Sequence, residues 1–197
     1  MVRRKAVPVS KLMKLYELTE MPVWYSKAGR LDLIKKCYKD LTRLVLMEIR
    51  PYLSPELSEE VEDYLDHIKG DIQLAEEIGT KTPLIMTLAD FYEKIILDIA
   101  GYKKEKLPED VADEVSARLE EYRHDIVNER AEYFPDIIEG ITYLFLVIFN
   151  RYVKYPHPRI AEYALELDTN LLVSDVEWSA YWFARFDTRV RAVFLWE

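Results

Sequence analysis

The chain has 197 residues, enough for one large domain or two small ones, and half of its residues are hydrophobic, which supplies a substantial core. The net charge is −9, but the apolar fraction is too high for a disordered protein. Only five glycines are present, which argues against a glycine-rich phosphate loop and against a sheet built on tight hairpins. The single cysteine, Cys37, excludes a disulfide framework within the chain and fits a reducing compartment.

Two further compositional features bear on location and source. The basic start is not followed by a long apolar run, and the longest uncharged stretch, 140–150, is too short to span a bilayer. We therefore expect a cytoplasmic protein without a membrane segment. The sequence holds three Asn and one Gln but many Glu, Lys, Ile and Tyr, which is the trend of proteins from thermophiles.

Charge is unevenly distributed along the chain. Residues 1–50 hold 12 basic and 5 acidic side chains, whereas residues 51–197 hold 15 basic and 31 acidic ones. The first quarter of the chain therefore suits an acidic partner, which the rest would repel.

The first two predicted helices cover this basic quarter. Ser10 is a good N-cap for a helix that we expect to end at Pro22, before a linker that contains Trp24. Apolar residues at helical spacing then predict a second helix over 30–50, ended by Pro51.

The second helix carries a basic face opposite its apolar face. At about 100° per residue its basic residues fall within an arc of roughly 60°, and they are Lys36, Lys39, Arg43 and Arg50. These four residues are called the basic stripe. One interpretation is a solvated helix face; the other is a docking surface for a nucleic-acid backbone or an acidic protein.

Three further helices follow from local start and stop signals. Ser54-Pro55 starts a helix that continues through Gly70 and ends at Gly79. A largely apolar helix follows over 84–100, with Gly101 as its C-cap residue. A long charged helix with one narrow apolar stripe is then predicted from Pro108 to about residue 133.

The organising element is predicted to be residues 136–154. Seven consecutive apolar or aromatic residues, 143–149, leave this helix without a solvated face, so other elements must cover it. A short amphipathic helix over 159–167 and a capping box at Ser174–Glu177, which opens a last helix over 175–186, complete the series. The end, 188–197, is ambiguous, and its alternation of Arg and Val favours a strand.

Aromatic residues crowd the C-terminal part of the chain. Burial in the chain's own core is one explanation, and a partner or self-association surface is the other. The residues proposed for that surface are Trp178, Tyr181, Trp182, Phe186 and Trp196.

The histidines suggest little metal chemistry. Glu121 and His124 share one predicted helix face, and Asp63 and His67 share another, but carboxylate-bridged di-metal bundles need two Glu-x-x-His pairs. We therefore assign no metal, no cofactor and no catalytic residue.

Two stretches resemble known families. The spacing of Arg118 and His124 is similar to the Arg-x4-6-His pattern of HEPN ribonucleases, which would imply cleavage at a phosphodiester, although Leu119 stands where a polar residue usually follows the arginine. Residues 89–95, followed by a long charged helix, resemble the helical domain of archaeal GINS replication subunits, which would imply a scaffold role.

Taken together, the sequence predicts a single all-α domain over 1–197, with 1–9 as a flexible basic tail. Seven or eight helices would form a bundle around 136–154, with a small β element at the C-terminus. The favoured function is a non-enzymatic helical interaction or structural protein, a subunit of a homo-oligomer or larger complex. The alternatives are a nucleic-acid-associated protein acting through the basic stripe and a HEPN-like ribonuclease.

Overall fold

A computed structural model describes residues 6–102, 104, 107–144, 158–173 and 175–195. Eight α-helices and no strand occur among these residues, so the all-α prediction is confirmed. The chain divides into two compact units, 1–102 and 103–197, each of which is described by itself. That both belong to one domain stays a prediction.

The first unit is a bundle of four helices, with these bounds: α1 Val9–Lys27, α2 Leu31–Leu44, α3 Pro55–Ile78 and α4 Thr82–Ala100. Each helix packs against the next, and α4 also packs against α1, which closes the ring. One hydrophobic core fills its centre, contributed by all four helices, and Leu15, Leu41, Val61 and Phe91 are among its most buried members. The α1–α2 and α3–α4 connections have three residues each, as expected for antiparallel neighbours, whereas α2 and α3 are joined by a longer segment over 45–54.

The predicted end of α1 at Pro22 is wrong, because the helix continues to Lys27 with Pro22 inside it. Val23 and Ser26, which follow the proline, are as buried as Leu15 and Leu18, which precede it. Packing on both sides therefore outweighs the cost of about 3 kcal/mol for an interior proline. The helix ends at Gly29 instead, whose φ of +67° is easily adopted by glycine.

The predicted helix over 30–50 is interrupted near its end. After α2 the chain makes a π-helical turn over Val45–Ile49 and a 3₁₀ turn over Arg50–Tyr52. The following helix begins as expected, since the Ser54 hydroxyl accepts a hydrogen bond from the Leu57 N–H at 3.2 Å. It runs through Gly70 and ends at Gly79, as predicted.

The second unit also holds four helices in its described part, with these bounds: α5 Glu109–Val127, α6 Phe134–Tyr143, α7 Pro158–Val173 and α8 Val176–Phe194. Along the series, α6 packs against α7, α7 against α8 and α8 against α5. The last helix is buried on nearly every side; Ala180, Phe183, Ala184 and Val190 are no more than 1% exposed.

The interface of α5 and α8 contains a buried ion-pair network. Asp187 is 1% exposed and accepts hydrogen bonds from Arg123 Nη1 at 2.6 Å and Arg191 Nε at 2.8 Å. Arg191 Nη2 also donates to Glu120 Oε1 at 2.7 Å. Burial raises the pKa of Asp187, although Arg191 and Arg123 act in the opposite direction.

Three predictions for this unit need correction. The long charged helix ends at Val127, about six residues early, where Glu129 has a left-handed φ of +57°. The N-cap of α8 is Asp175, whose carboxylate accepts from the Trp178 N–H at 3.2 Å, rather than Ser174. The predicted strand is wrong as well, because 188–194 continue α8, whose buried side chains recur at helical spacing.

The predicted central helix is described only in its first half. Four residues, Phe134, Ile137, Ile141 and Leu144, form one buried stripe, whereas Tyr143 is 45% exposed. This half is therefore amphipathic. The rest of the apolar run, 145–154, lies outside the described residues, as do 1–5 of the predicted basic tail. None of the described helices is apolar over a length that would cross a membrane.

Candidate functional site

The basic stripe is present on α2, but only three of its four residues share a free surface. Lys36, Lys39 and Arg43 are exposed, and the nearest carboxylate to Arg43 is that of Asp40, at 3.8 Å. Lys36 and Lys39 form no ion pair with any residue that the structure describes. These three side chains therefore keep charge available for an anionic partner.

Arg50 does not belong to this surface. Its Nη1 lies 2.5 Å from Glu62 Oε1 and its Nε donates to the Ser58 hydroxyl at 3.2 Å, so α3 holds the guanidinium. The π-helical turn before Arg50 adds residues to one turn and breaks the regular helical phase. The sequence-based arc assumed one regular helix from Lys36 to Arg50, which is why it misplaced this residue.

An apolar groove on the first unit was not predicted. It lies between α1 and α4, has a volume of about 690 Å³ and is lined mainly by apolar and aromatic side chains. The apolar and aromatic part of the lining consists of Leu12, Met13, Tyr16 and Met21 of α1 and Tyr92 of α4. The Tyr16 and Tyr92 rings meet edge to face with centroids 5.5 Å apart, which fixes the groove between the two helices.

Other exposed apolar side chains lie on the outer face of α1. Met13, which lines the groove, is 67% exposed, and Val9, one turn before it, is 70% exposed. Trp24, at the other end of the helix, is 51% exposed. Surface apolar residues are ordinary when isolated, so the apolar lining of the groove itself is the stronger sign of a binding surface.

Charged residues also border the groove. Lys14, Glu17 and Glu20 line it, and Lys14 Nζ lies 3.0 Å from Glu17 Oε2. Glu20 forms no ion pair with a described residue. Two carboxylates and one ammonium group therefore give the border a net negative charge.

The predicted aromatic surface is divided between core and periphery of the second unit. Tyr181 is fully buried and Phe186 is 4% exposed, whereas Trp178 and Trp182 are partly exposed. The Arg185 guanidinium stacks over the Trp182 ring, 5.0 Å from its centroid. Trp196 lies outside the described residues. An interface built on these residues stays a prediction, with only the two tryptophans reachable.

A second, smaller cavity lies between α5 and α6. It measures about 370 Å³ and contains Arg118, Glu121 and Tyr122 of α5 in its lining. The Arg118 guanidinium lies 5.8 Å from the Tyr143 ring centroid, and its hydrogen bond with the Tyr122 hydroxyl raises the pKa of Arg118. That guanidinium therefore remains a cation at any ordinary pH.

The structure does not bring Arg118 and His124 together. His124 is absent from the lining of that cavity, and its Nδ1 lies 3.7 Å from Asp125 instead. Both residues sit on the continuous helix α5, where a separation of six residues turns the side chains about 120° apart. The other histidine singled out from the sequence, His67, lies 3.7 Å from Asp71 on the surface of α3.

Neither metal ligation nor thiol chemistry is indicated in the described part of the chain. There, no group of three or more His, Cys, Asp or Glu side chains is arranged to hold a metal ion. Cys37 is buried in the core of the first unit, and this burial raises the pKa of its thiol. A thiol with a raised pKa is a poor nucleophile because little of it is ionised.

Comparisons with protein-family models, with curated proteins and with solved structures give no match for this chain. The resemblances to HEPN ribonucleases and GINS subunits stay predictions.

Proposed function

We propose that the chain is a non-enzymatic helical interaction protein, a subunit of a homo-oligomer or larger complex, that binds a helix of another protein in the α1–α4 groove. The observation that carries this proposal is the groove itself, lined by Leu12, Met13, Tyr16, Met21 and Tyr92. A volume of about 690 Å³ exceeds what one inserted side chain fills.

The composition of the groove suits a helix as its occupant. Helix-in-groove recognition uses an apolar stripe on the ligand and a hydrophobic groove on the receptor. Burial of one apolar side chain the size of methionine contributes about 1.5–3 kcal/mol. Met13, which is two-thirds exposed, is the side chain with most to gain.

Affinity purification followed by reconstitution tests the proposal. The wild-type protein and Met13→Glu serve as matched baits, and Met47→Glu is the control, because Met47 is 75% exposed but does not line the groove. The proposal is supported if a protein binds the wild type and the control but not Met13→Glu, and if its complex with the chain can be reconstituted from purified components at fixed stoichiometry. A strictly monomeric wild type without any retained partner refutes it.

A second candidate is association with nucleic acid through Lys36, Lys39 and Arg43. It is favoured by the two lysines that no described carboxylate neutralises. Three phosphate contacts predict that log K falls against log salt with a slope of about −2.7, or about 40-fold between 50 and 200 mM salt. In a gel-shift titration, the variant with Lys36→Gln, Lys39→Gln and Arg43→Gln should lose this salt-dependent binding. Lys69→Gln on α3 is the control. Absence of binding at low salt would exclude this function.

A further inference from the structure

We infer that the helix received by the α1–α4 groove is basic and amphipathic, with Lys or Arg beside its apolar stripe. This inference rests on the proposed function and assigns the chemistry of the partner. It follows from the distribution of charge around the groove.

The apolar part of the groove accepts side chains of varied shape. Met13 and Met21 are flexible and can repack around an inserted residue. Tyr16 and Tyr92 provide ring surface beside them. The apolar lining therefore determines that the ligand has an apolar stripe, but it does not select among Leu, Ile, Met or Phe on that stripe.

Charge provides the selection. Glu17 and Glu20 line the half of the groove that ends at Met21, and Glu20 forms no ion pair with a described residue. The side chains of the Lys14–Glu17 ion pair are about half exposed, and such surface pairs contribute little free energy. A cation on the ligand can therefore replace Lys14 as the partner of Glu17. Lys or Arg on the ligand would form ion pairs with both carboxylates, whereas Glu or Asp there would be repelled by them.

The dimensions of the groove set the length of the ligand. Its lining runs along α1 from Ser10 to Met21, and at 1.5 Å per residue this distance is about 17 Å. A helix of about three turns covers it. Apolar residues at i, i+3 or i+4, and i+7 on that helix would face Met13, Tyr16 and Met21 in succession.

Two fluorescent model peptides test the inference by anisotropy. Both have about 14 residues and the same leucine positions, which form one helical face. All the remaining positions are Lys in one peptide and Glu in the other. The protein variants are Met13→Gln for the apolar contact and the double change Glu17→Gln with Glu20→Gln for the charge. Glu59→Gln with Asp63→Asn on the exposed face of α3 is the matched charge control. Circular dichroism verifies that each variant is folded.

We expect the Lys peptide to bind the wild type at low salt and to bind more weakly as salt rises. Met13→Gln should weaken binding about tenfold or more. The Glu17/Glu20 variant should weaken binding several-fold and flatten its salt dependence, while the α3 control behaves as the wild type.

Three results would overturn the inference: no binding of the Lys peptide, equal binding of the Glu peptide, or a loss of binding in the α3 control equal to that in the groove variants. None of these results decides the proposed function, which the reconstitution experiment tests independently. A reconstituted partner that depends on Met13 but has an acidic or uncharged binding helix would overturn only the inference about charge.

Discussion

Replacement of glycine by alanine should have opposite effects at Gly140 and Gly70. Both residues lie inside helices, where alanine favours the helix by about 1 kcal/mol. A Cβ atom built on Gly70 meets no other atom within 4 Å. A Cβ atom built on Gly140 would overlap the Tyr122 hydroxyl and lie 2.5 Å from Cζ of that ring.

The magnitude at Gly140 follows from the mobility of Tyr122. This ring is 6% exposed, so it can yield only by swinging its hydroxyl end into the neighbouring α5–α6 cavity. Overpacking of this kind costs about 1–3 kcal/mol. After subtraction of the gain in helix propensity, Gly140→Ala should lower the free energy of unfolding by up to about 2 kcal/mol. Gly70→Ala should raise it by up to about 1 kcal/mol.

Urea unfolding followed by circular dichroism measures both changes, and amide hydrogen exchange shows whether α6 or α3 is affected. Tyr122→Phe removes the overlapping oxygen, so it should reduce the cost of Gly140→Ala without abolishing it, because Cζ remains close. The double-mutant cycle should give a coupling energy of at least about 0.5 kcal/mol. If Gly140→Ala stabilises the protein as much as Gly70→Ala does, the close packing of α5 on α6 is refuted.

Three further predictions concern stability. Glu129→Gly should stabilise the chain by about 0.5–1 kcal/mol in urea unfolding, because glycine adopts the φ of +57° without strain. Asn128→Gly is the control and should not stabilise the chain, because Asn128 has a φ of −86°. Equal effects of the two substitutions would contradict this explanation. Ser54→Ala should cost about 1 kcal/mol through loss of the α3 N-cap, and an unchanged midpoint of urea unfolding would contradict it. Because burial raises the pKa of Asp187, its contribution to stability is present below about pH 4 and is lost as pH rises through the raised pKa. The free energy of unfolding of the wild type, relative to that of Asp187→Asn, should therefore decrease over this range. A relative increase with pH would show that the arginines dominate.

Local signals predicted much of the first unit because the responsible interactions are themselves local. The Ser54 cap involves the N–H three residues on, and the helix ends at Gly79 and Gly101 require only a positive φ. The prediction that Gly70 does not interrupt α3 was also correct, since the apolar spacing continues on both sides of it.

The failures occur where distant packing determines the backbone. The strand-forming composition of 188–194 predicted a strand, but Val190, Val193 and Phe194 are buried on α8, which contacts α5 and α7. Tertiary packing of this kind overrides intrinsic β-propensity. The spacing of Val190, Val193 and Phe194 is itself helical, but the alternation of Arg and Val competes with it, and the partners that decide between the two patterns lie elsewhere in the chain.

The candidate groove required information that only the fold contains. Met13, Tyr16 and Met21 are read from the sequence as ordinary apolar positions of an amphipathic helix, and only the closure of the bundle brings Tyr92 of α4 beside them. The one available signal was the width of the apolar face of α1: Met13 lies almost opposite the buried Leu15 on the helix. An apolar residue outside the core-facing stripe is a candidate for contact with a partner.

Pro22, which local rules took as the end of α1, also affects the extent of the outer face of this helix. Had α1 ended before Pro22, Trp24 would lie on a separate linker and the outer face would stop at Met21. Because Val23 and Ser26 are buried, the helix instead continues to Lys27, and its outer face extends from Val9 to Trp24. The Thr19 hydroxyl, which donates to the Leu15 and Tyr16 carbonyl oxygens at 3.0 Å, satisfies its own buried donor in the turn before the proline. The core contacts after Pro22 thus determine both the length of α1 and the extent of the surface that we propose binds a partner.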